Sequence, residues 1–210
     1  MRCQTQGMTA QRHFAYITEE EYRDGEEIST VKHEWFNGQV YAMAGGAFNH
    51  TRICGNVHAA SKTALRGKLC KAHNSEQRVK AESNGQEVYP DAVIFCPPSR
   101  FTGKGDSTLL TPKVIFEVLS DSTKDYDRTR KFALYKTIST LEEYVLIEQD
   151  TVWVDHFSRQ GDDWVHRSYI HRSDLLRLES VGIAIPLDEI YDELDVPEAS
   201  LEAPVMAEEE

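Results

Sequence analysis

The sequence predicts a mixed α/β (α+β) domain, a β-sheet core flanked by helices with a β-hairpin near the N-terminus. Three observations carry this. Glu34-Trp35-Phe36 and Gln39–Met43 flank an Asn37-Gly38 pair, a strong hairpin signal because both turn residues tolerate positive φ. Two β-branched, nearly continuous apolar runs, Glu87–Phe95 and Lys113–Leu119, have the character of strands covered on both faces. Around them lie stretches with helical spacing and recognisable caps. The 210 residues, 40% hydrophobic and 28% charged, fit one domain of ordinary size. It is expected over residues 15–196, after a flexible leader (1–14) and before an acidic disordered tail (197–210).

Taken in order, Thr18-Glu19-Glu20-Glu21 is a capping box, in which Thr18 accepts from a free backbone N–H and Glu21 bonds back. It opens a short helix that ends near Asp24-Gly25 or runs on to Ser29. The hairpin follows, and Gly45-Gly46 breaks its second strand. Asn49 is the expected N-cap of a long helix through about Arg66, with Ile53, Val57, Ala60, Ala64 and Leu65 near helical spacing. Glu76–Glu82 alternates as a strand, Asn84-Gly85 turns, and Glu87–Phe95 forms one central strand. Pro97–Thr111 is a loop. After Lys113–Leu119, Asp121 or Ser122 caps a helix through about Lys136, with Phe132, Tyr135 and Ile138 as its apolar side. Glu142–Glu148, Thr151–Phe157 and Trp164–Tyr169 complete the strands, and Leu187–Glu193 forms a last helical turn.

The longest unbroken apolar run is about Ala92–Cys96, so no membrane-spanning helix is expected, and the N-terminus has no secretory apolar segment. Cysteines at 3, 54, 70 and 96 are too sparse for a disulfide scaffold and suggest a reducing, cytoplasmic setting. The net charge of −12 is unevenly spread: Asp188–Glu210 holds ten acidic residues and no Lys or Arg, leaving 25 acidic against 23 basic residues elsewhere. Basic clusters stand at Arg52, Lys62, Arg66, Lys68, Lys71, Arg78 and Lys80, and at Lys124, Arg128, Arg130, Lys131 and Lys136. Each is either a nucleic-acid contact or a solvated helix face, and whole-chain charge does not decide between them.

Each central strand carries a carboxylate among apolar neighbours: Asp91 in Val88–Phe95 and Glu117 in Val114–Leu119. Buried carboxylates are costly unless paired, hydrogen-bonded or bound to metal. On adjacent strands the two would point into one cleft, and hard oxygen ligands helped by a backbone carbonyl suit Mg²⁺ or Mn²⁺. A rival constellation is His50, Cys54 and His58 on one helical face, followed by Cys70-x-x-His73. Its donors suit Zn²⁺, but its spacing matches no standard finger.

At these residues the chain resembles a family. Tyr89-Pro90-Asp91, followed by Phe116-Glu117-Val118-Leu119-Ser120, is similar to the Uma-type restriction-endonuclease family of the PD-(D/E)XK nuclease superfamily. The resemblance covers roughly residues 15–192 and rests on an ordered series of landmarks. They include Glu34–Gly38, Gly45–His50, Glu76–Lys80, Lys131–Tyr135, Leu141–Leu146 and Ser180–Leu187.

The resemblance implies a restriction-endonuclease-like sheet core and a Mg²⁺- (or Mn²⁺-) dependent endonuclease hydrolysing phosphodiester bonds in DNA. It implies Asp91, Glu117 and the Val118 carbonyl as metal ligands, with Glu34 joining the catalytic set. One departure stands out. The superfamily pattern expects lysine at position 119, where this chain has Leu119. Lys113, Lys124, Lys131 and Lys136 are the candidate replacements, and Lys131 is preferred because the helix after the Glu117 strand would carry it back over the strand ends on one stripe with Asp127 and Tyr135. His50, Arg128 and Arg130 are expected to contact nucleic acid, with His50 equally suited to capping a helix. DNA is the expected partner and a homodimer is possible. The rival reading is an inactive nuclease fold that only holds nucleic acid or a partner protein.

Overall fold

The computed structural model describes residues 16–43, 45–81, 85–121 and 123–199. Helix α1 (Glu19–Ile28) starts at the Thr18 capping box, with both reciprocal bonds formed. Strands β1 (His33–Phe36) and β2 (Gln39–Ala42) make the hairpin, with Asn37 and Gly38 both at positive φ, as a primed turn requires. Helix α2 (Phe48–Ala64) follows, and its N-cap is Ala47 without a side-chain cap bond. Asn49, expected there, lies inside the helix, and its amide donates to the Gln149 carbonyl instead.

Strands β3 (Lys71–Asn74), β4 (Arg78–Ala81), β5 (Gln86–Val88), β6 (Ala92–Phe95), β7 (Phe101–Thr102), β8 (Thr108–Leu109), β9 (Val114–Leu119), β10 (Glu143–Glu148), β11 (Val154–Gln160), β12 (Asp163–Tyr169), β13 (Leu175–Leu178) and β14 (Ile183–Pro186) form three sheets. The first has the order β2-β1-β5-β4-β8-β7, the second β12-β11-β10-β9-β6-β3, and β13-β14 is a separate hairpin. The single strand expected over Glu87–Phe95 is therefore two strands in different sheets. Tyr89-Pro90-Asp91 is the crossing between them, where Pro90 has no N–H for a ladder. The expected loop Pro97–Thr111 contains the short β7–β8 pair. Asn84 and Ser122 lie outside the described residues.

The second sheet carries the core. Alternate residues of β9 split between its faces: Val114, Phe116 and Val118 join α2, β13, β14 and the final helix α5 (Leu187–Ile190), whereas Ile115 and Leu119 pack towards Phe132, Leu134 and Tyr135. The helix after β9 runs as α3 (Lys124–Tyr126), a π turn (Asp127–Lys131) and α4 (Phe132–Lys136). In a regular helix, positions four apart drift by about 40°. The wider π turn drifts the other way, which keeps Asp127, Lys131 and Tyr135 on one buried stripe.

Two expectations need correction. Cys70 and Cys96 are disulfide-bonded, a pairing that the sparse cysteine spacing did not suggest. Strand β3 pairs with β6 as Lys71↔Phe95, so continuing that register sets Cys70 opposite Cys96. The same bond removes Cys70 from any zinc set with His73, whose ring contacts Gln77 at 2.9 Å. The acidic end is not free from 197 onward. The Pro197 carbonyl accepts from Val152 N–H, and Glu198 pairs with His171 and accepts from Arg172 N–H. Residues 200–210 and the leader 1–14 lie outside the described residues.

Candidate active site

Strands β6 and β9 are antiparallel neighbours with Ala92↔Phe116, so continuing the register sets Asp91 opposite Glu117. The site lies where β6 begins and β9 ends. Glu34 reaches it from the other sheet, on β1, which pairs with β5 just before the crossing. Its Oε1 accepts the Tyr89 N–H at 3.2 Å, tying the hairpin to the segment that carries Asp91.

Lys131 comes in from the π turn. Its ammonium is 3.0 Å from Glu117 Oε1, 3.2 Å from Glu34 Oε1 and 3.6 Å from Asp127 Oδ1. Tyr135 O–H donates to Glu117 Oε1 at 2.7 Å. Asp91 Oδ2 accepts the Val118 N–H at 2.7 Å and faces His50 Nε2 at 3.5 Å. The other lysines go elsewhere: Lys113 pairs with Glu142, Lys124 with Asp121, and the Lys136 ammonium sits over the Phe132 ring. Leu119 is buried on the same face as Glu117. A leucine completes the core there, while the ammonium enters from the helix.

The cluster is electrically crowded. Burial, reinforced by Asp127 and Asp91, pushes the Glu117 carboxyl well above the usual range despite Lys131 and Tyr135. Burial likewise raises Asp127, with Asp91 and Glu34 adding to it. Burial opposes the Lys131 charge, but Glu117, Glu34, Tyr135 and Asp127 outweigh it, and the ammonium stays protonated. Burial also works against the Asp91 charge, yet the His50 hydrogen bond and charge, helped by Val118 N–H, hold its carboxyl below the usual range. His50 is raised in turn, mainly by its bond to Asp91 and further by the Val118 backbone. Asp91 thus has a facing imidazole and a backbone N–H that favour its charge, while the more deeply buried Glu117 is penalised for ionising.

The predicted nucleic-acid contacts divide. Arg130 is exposed on the π turn. Arg128 is half-buried and tied back to the fold, donating to Asp155 and Glu148 at 2.7 Å each. The first basic cluster is also largely paired within the chain: Arg52 with Glu193, Arg78 with Glu87, Lys80 with Glu19, and Lys68 with the Gly182 carbonyl. Sequence reasoning gave Asp127 no role and Tyr135 only a place on the helix's apolar side, although both share the Lys131 stripe. It also missed that His50 meets Asp91.

Asp91, Glu117 and the Val118 backbone form an oxygen-rich corner around a buried carboxyl whose ionised form nothing nearby fully compensates. Such a corner fits a hard divalent cation. Cavities of about 490 and 390 Å³ lie elsewhere, beside α1, and are lined by Arg78, Glu27, Lys104 and Ser107 among others.

With this geometry in hand, the comparison with known families is decisive. The profile of the Uma2 family, described as "Putative restriction endonuclease", matches residues 19–188. The chain belongs to the Uma2 family. Two uncharacterized proteins of Synechocystis sp. (strain ATCC 27184 / PCC 6803 / Kazusa) are similar to it. One is 35% identical over 179 residues, covering 85% of this chain and 93% of its own length. The other is 31% identical over 146 residues, covering 70% and 82%. The fold matches a crystal structure described as a putative nuclease belonging to DUF820 from Anabaena variabilis ATCC 29413. That match has a TM-score of 0.66, with 14% identity over 83% of this chain and 97% of that one. The expected nuclease-type mixed fold is therefore the fold of this Uma2 chain. Among the described residues, no helix is long and apolar enough to cross a membrane.

Proposed function

We propose that this Uma2 protein is a metal-dependent endonuclease that hydrolyses phosphodiester bonds in DNA. The observation that carries the reading is the position of Lys131: its ammonium lies within 3.2 Å of both Glu117 and Glu34, although the superfamily position for lysine is occupied by Leu119. That convergence weakens the rival reading of an inactive fold, which rested on the missing lysine. Nothing among the described residues supports a homodimer.

Asp91, Glu117 and the Val118 carbonyl would hold Mg²⁺ or Mn²⁺. When bound, such an ion acidifies water and neutralises charge on the phosphate. The protein's own groups do the rest. Because Lys131 stays protonated, it acts as a fixed positive charge beside the phosphate rather than as a base. Glu34 and Asp127 hold that ammonium in place, and Tyr135 fixes the rotamer of Glu117 by donating to Oε1. Glu117, whose carboxyl burial holds well above the usual range, would serve as a ligand in its ionised form. Arg130 offers charge to the backbone of a bound strand.

The test is cleavage of varied DNA and RNA substrates with Mg²⁺ and Mn²⁺, with Asp91→Ala as control. DNA hydrolysis by the wild type and none by the variant supports the proposal. RNA cleavage alone would replace DNA as the substrate.

A further inference from the structure

We propose that His50, Cys54 and Asp91 form a mixed nitrogen, sulfur and oxygen site that takes a borderline divalent cation of the Zn²⁺ or Co²⁺ class in preference to Mg²⁺. The inference goes beyond the nuclease reading: it assigns a second donor set beside the corner proposed for Mg²⁺ or Mn²⁺, and shares Asp91 with that corner.

The helix sets up the donors. His50 and Cys54 are four residues apart on α2 and therefore on one face. Buried Ile53 and Val57 fix the rotation of that helix against the sheet. The ligand atoms of His50, Cys54 and Asp91 all lie within 4.8 Å of one another. His50 Nε2 is 3.5 Å from Asp91 Oδ2, and His50 Nδ1 is 3.5 Å from Cys54 Sγ. A separation of 3.5 Å is long for a charged hydrogen bond. The Nε2–Oδ2 separation matches two ligands of one ion, since bonds of about 2.1 Å at a tetrahedral angle put their atoms about 3.4 Å apart. One imidazole gives the ion a single nitrogen, and the Cys54 sulfur completes the set from within the same 4.8 Å cluster.

Donor chemistry then selects the ion. Mg²⁺ favours oxygen in octahedral surroundings, whereas imidazole and thiolate favour Zn²⁺ and its relatives. Cys54 is the free cysteine among the described residues. Burial and the facing Asp91 push its thiol up in the ion-free protein, so a bound dication would have to displace that proton, and the thiolate would then join Asp91 in matching its charge. The Val118 backbone, which His50 also faces, adds a further oxygen at the same corner. Glu117 and Asp127 raise the local negative potential without entering the set.

The probe is Co²⁺, titrated into the full-length protein without nucleic acid and followed by absorption spectroscopy and calorimetry. The wild type should show intense tetrahedral d–d bands and a thiolate-to-cobalt charge-transfer band. Cys54→Ser should lose the charge-transfer band. His50→Ala, and His50→Asn as a second variant, should weaken Co²⁺ binding by about tenfold or more while changing Mg²⁺ binding far less. Circular dichroism checks that each variant is folded. A weak, octahedral spectrum without charge transfer, unchanged by Cys54→Ser, would overturn the proposal and leave the nuclease reading intact. The full band with no hydrolysis of any substrate would uphold the site and count against the nuclease reading.

Discussion

Replacing Lys131 by methionine keeps the length of the side chain and removes its charge. Lys131 is 5% exposed and contacts three carboxylates that are themselves nearly buried. Breaking such a cluster from one side costs about 3–5 kcal/mol, because the anions remain without their cation. For a chain of this size that lowers Tm by about 6–20 °C. The loss depends on pH with a definite sign. Without the ammonium, the folded-state carboxyl pKa values rise further, so the folded protein binds protons the unfolded chain has released. The gap between variant and wild type should therefore widen from pH 5 to pH 8. A divalent cation supplies charge that the missing ammonium no longer does and should bind the variant more tightly, so at one Mn²⁺ concentration it rescues the variant more than the wild type; at about 100 times its Kd it returns about 2.7 kcal/mol. DNA turnover should fall by about 10²–10³. Scanning calorimetry at the two pH values, with and without Mn²⁺, reads the stability. A variant that melts within 2 °C of the wild type at pH 8 would refute the assignment of Lys131 as counter-ion to Glu34, Glu117 and Asp127 (the 2 °C margin being about 0.5–1 kcal/mol).

Four further outcomes are expected. Glu117→Gln should stabilise the ion-free protein by about 2–4 °C at pH 8 while abolishing the metal-induced rise in Tm. The raised carboxyl loses stability as pH climbs above the ordinary glutamate range towards its folded pKa, and the amide has no such loss; a lower Tm at pH 8 would contradict this. Arg128→Ala should destabilise the fold and let the Asp155 carboxyl, held at about 2 against burial by Arg128, Ser168, Trp153 and His166, move up in an NMR titration. Arg130→Ala should leave Tm unchanged and reduce the salt slope of DNA binding by about 1; a slope altered by Arg128→Ala alone would reverse the two roles. Truncation after Ala199 should leave thermal stability unchanged, whereas truncation after Asp195 removes the Pro197 and Glu198 contacts with Val152, His171 and Arg172 and should lower Tm in the same scan.

Local signals in the chain were legible where a single stretch determines the outcome. The Thr18 capping box and the Asn37-Gly38 hairpin need only their own residues, and both form as expected. Non-local pairings were not legible. Lys71–Asn74 has the polar look of a loop and becomes a strand because β6 offers it an edge, which in turn brings Cys70 beside Cys96. Glu87–Phe95 looked like one strand because apolar content does not reveal that its halves enter different sheets. Ser180–Leu187 was noticed as a landmark, yet its pairing with Leu175–Leu178 requires a partner that sequence spacing does not name.

The same division runs through the site. Asp91 and Glu117 stood out because carboxylates interrupt apolar runs, and the helical stripe joined Lys131 to Asp127 and Tyr135. Three things depended on tertiary contacts: the approach of Glu34 from another sheet, the meeting of His50 with Asp91, and the pairing of Arg128 with Asp155 and Glu148. A charged residue in a basic cluster shows its sign in the sequence but not its partner, which is why Arg128 looked available for DNA.

The central claim is that Glu34, Asp91, Glu117 and Lys131 act as one phosphodiester-cleaving unit. Its most direct test is single-turnover cleavage of a labelled DNA duplex in Mn²⁺ by the wild type and by Asp91→Ala, Glu117→Gln and Glu34→Gln. The account predicts cleavage by the wild type and losses of about 10² or more in each folded variant. Wild-type protein that binds Mn²⁺ and DNA without cutting, or variants that cut at the wild-type rate, would contradict it.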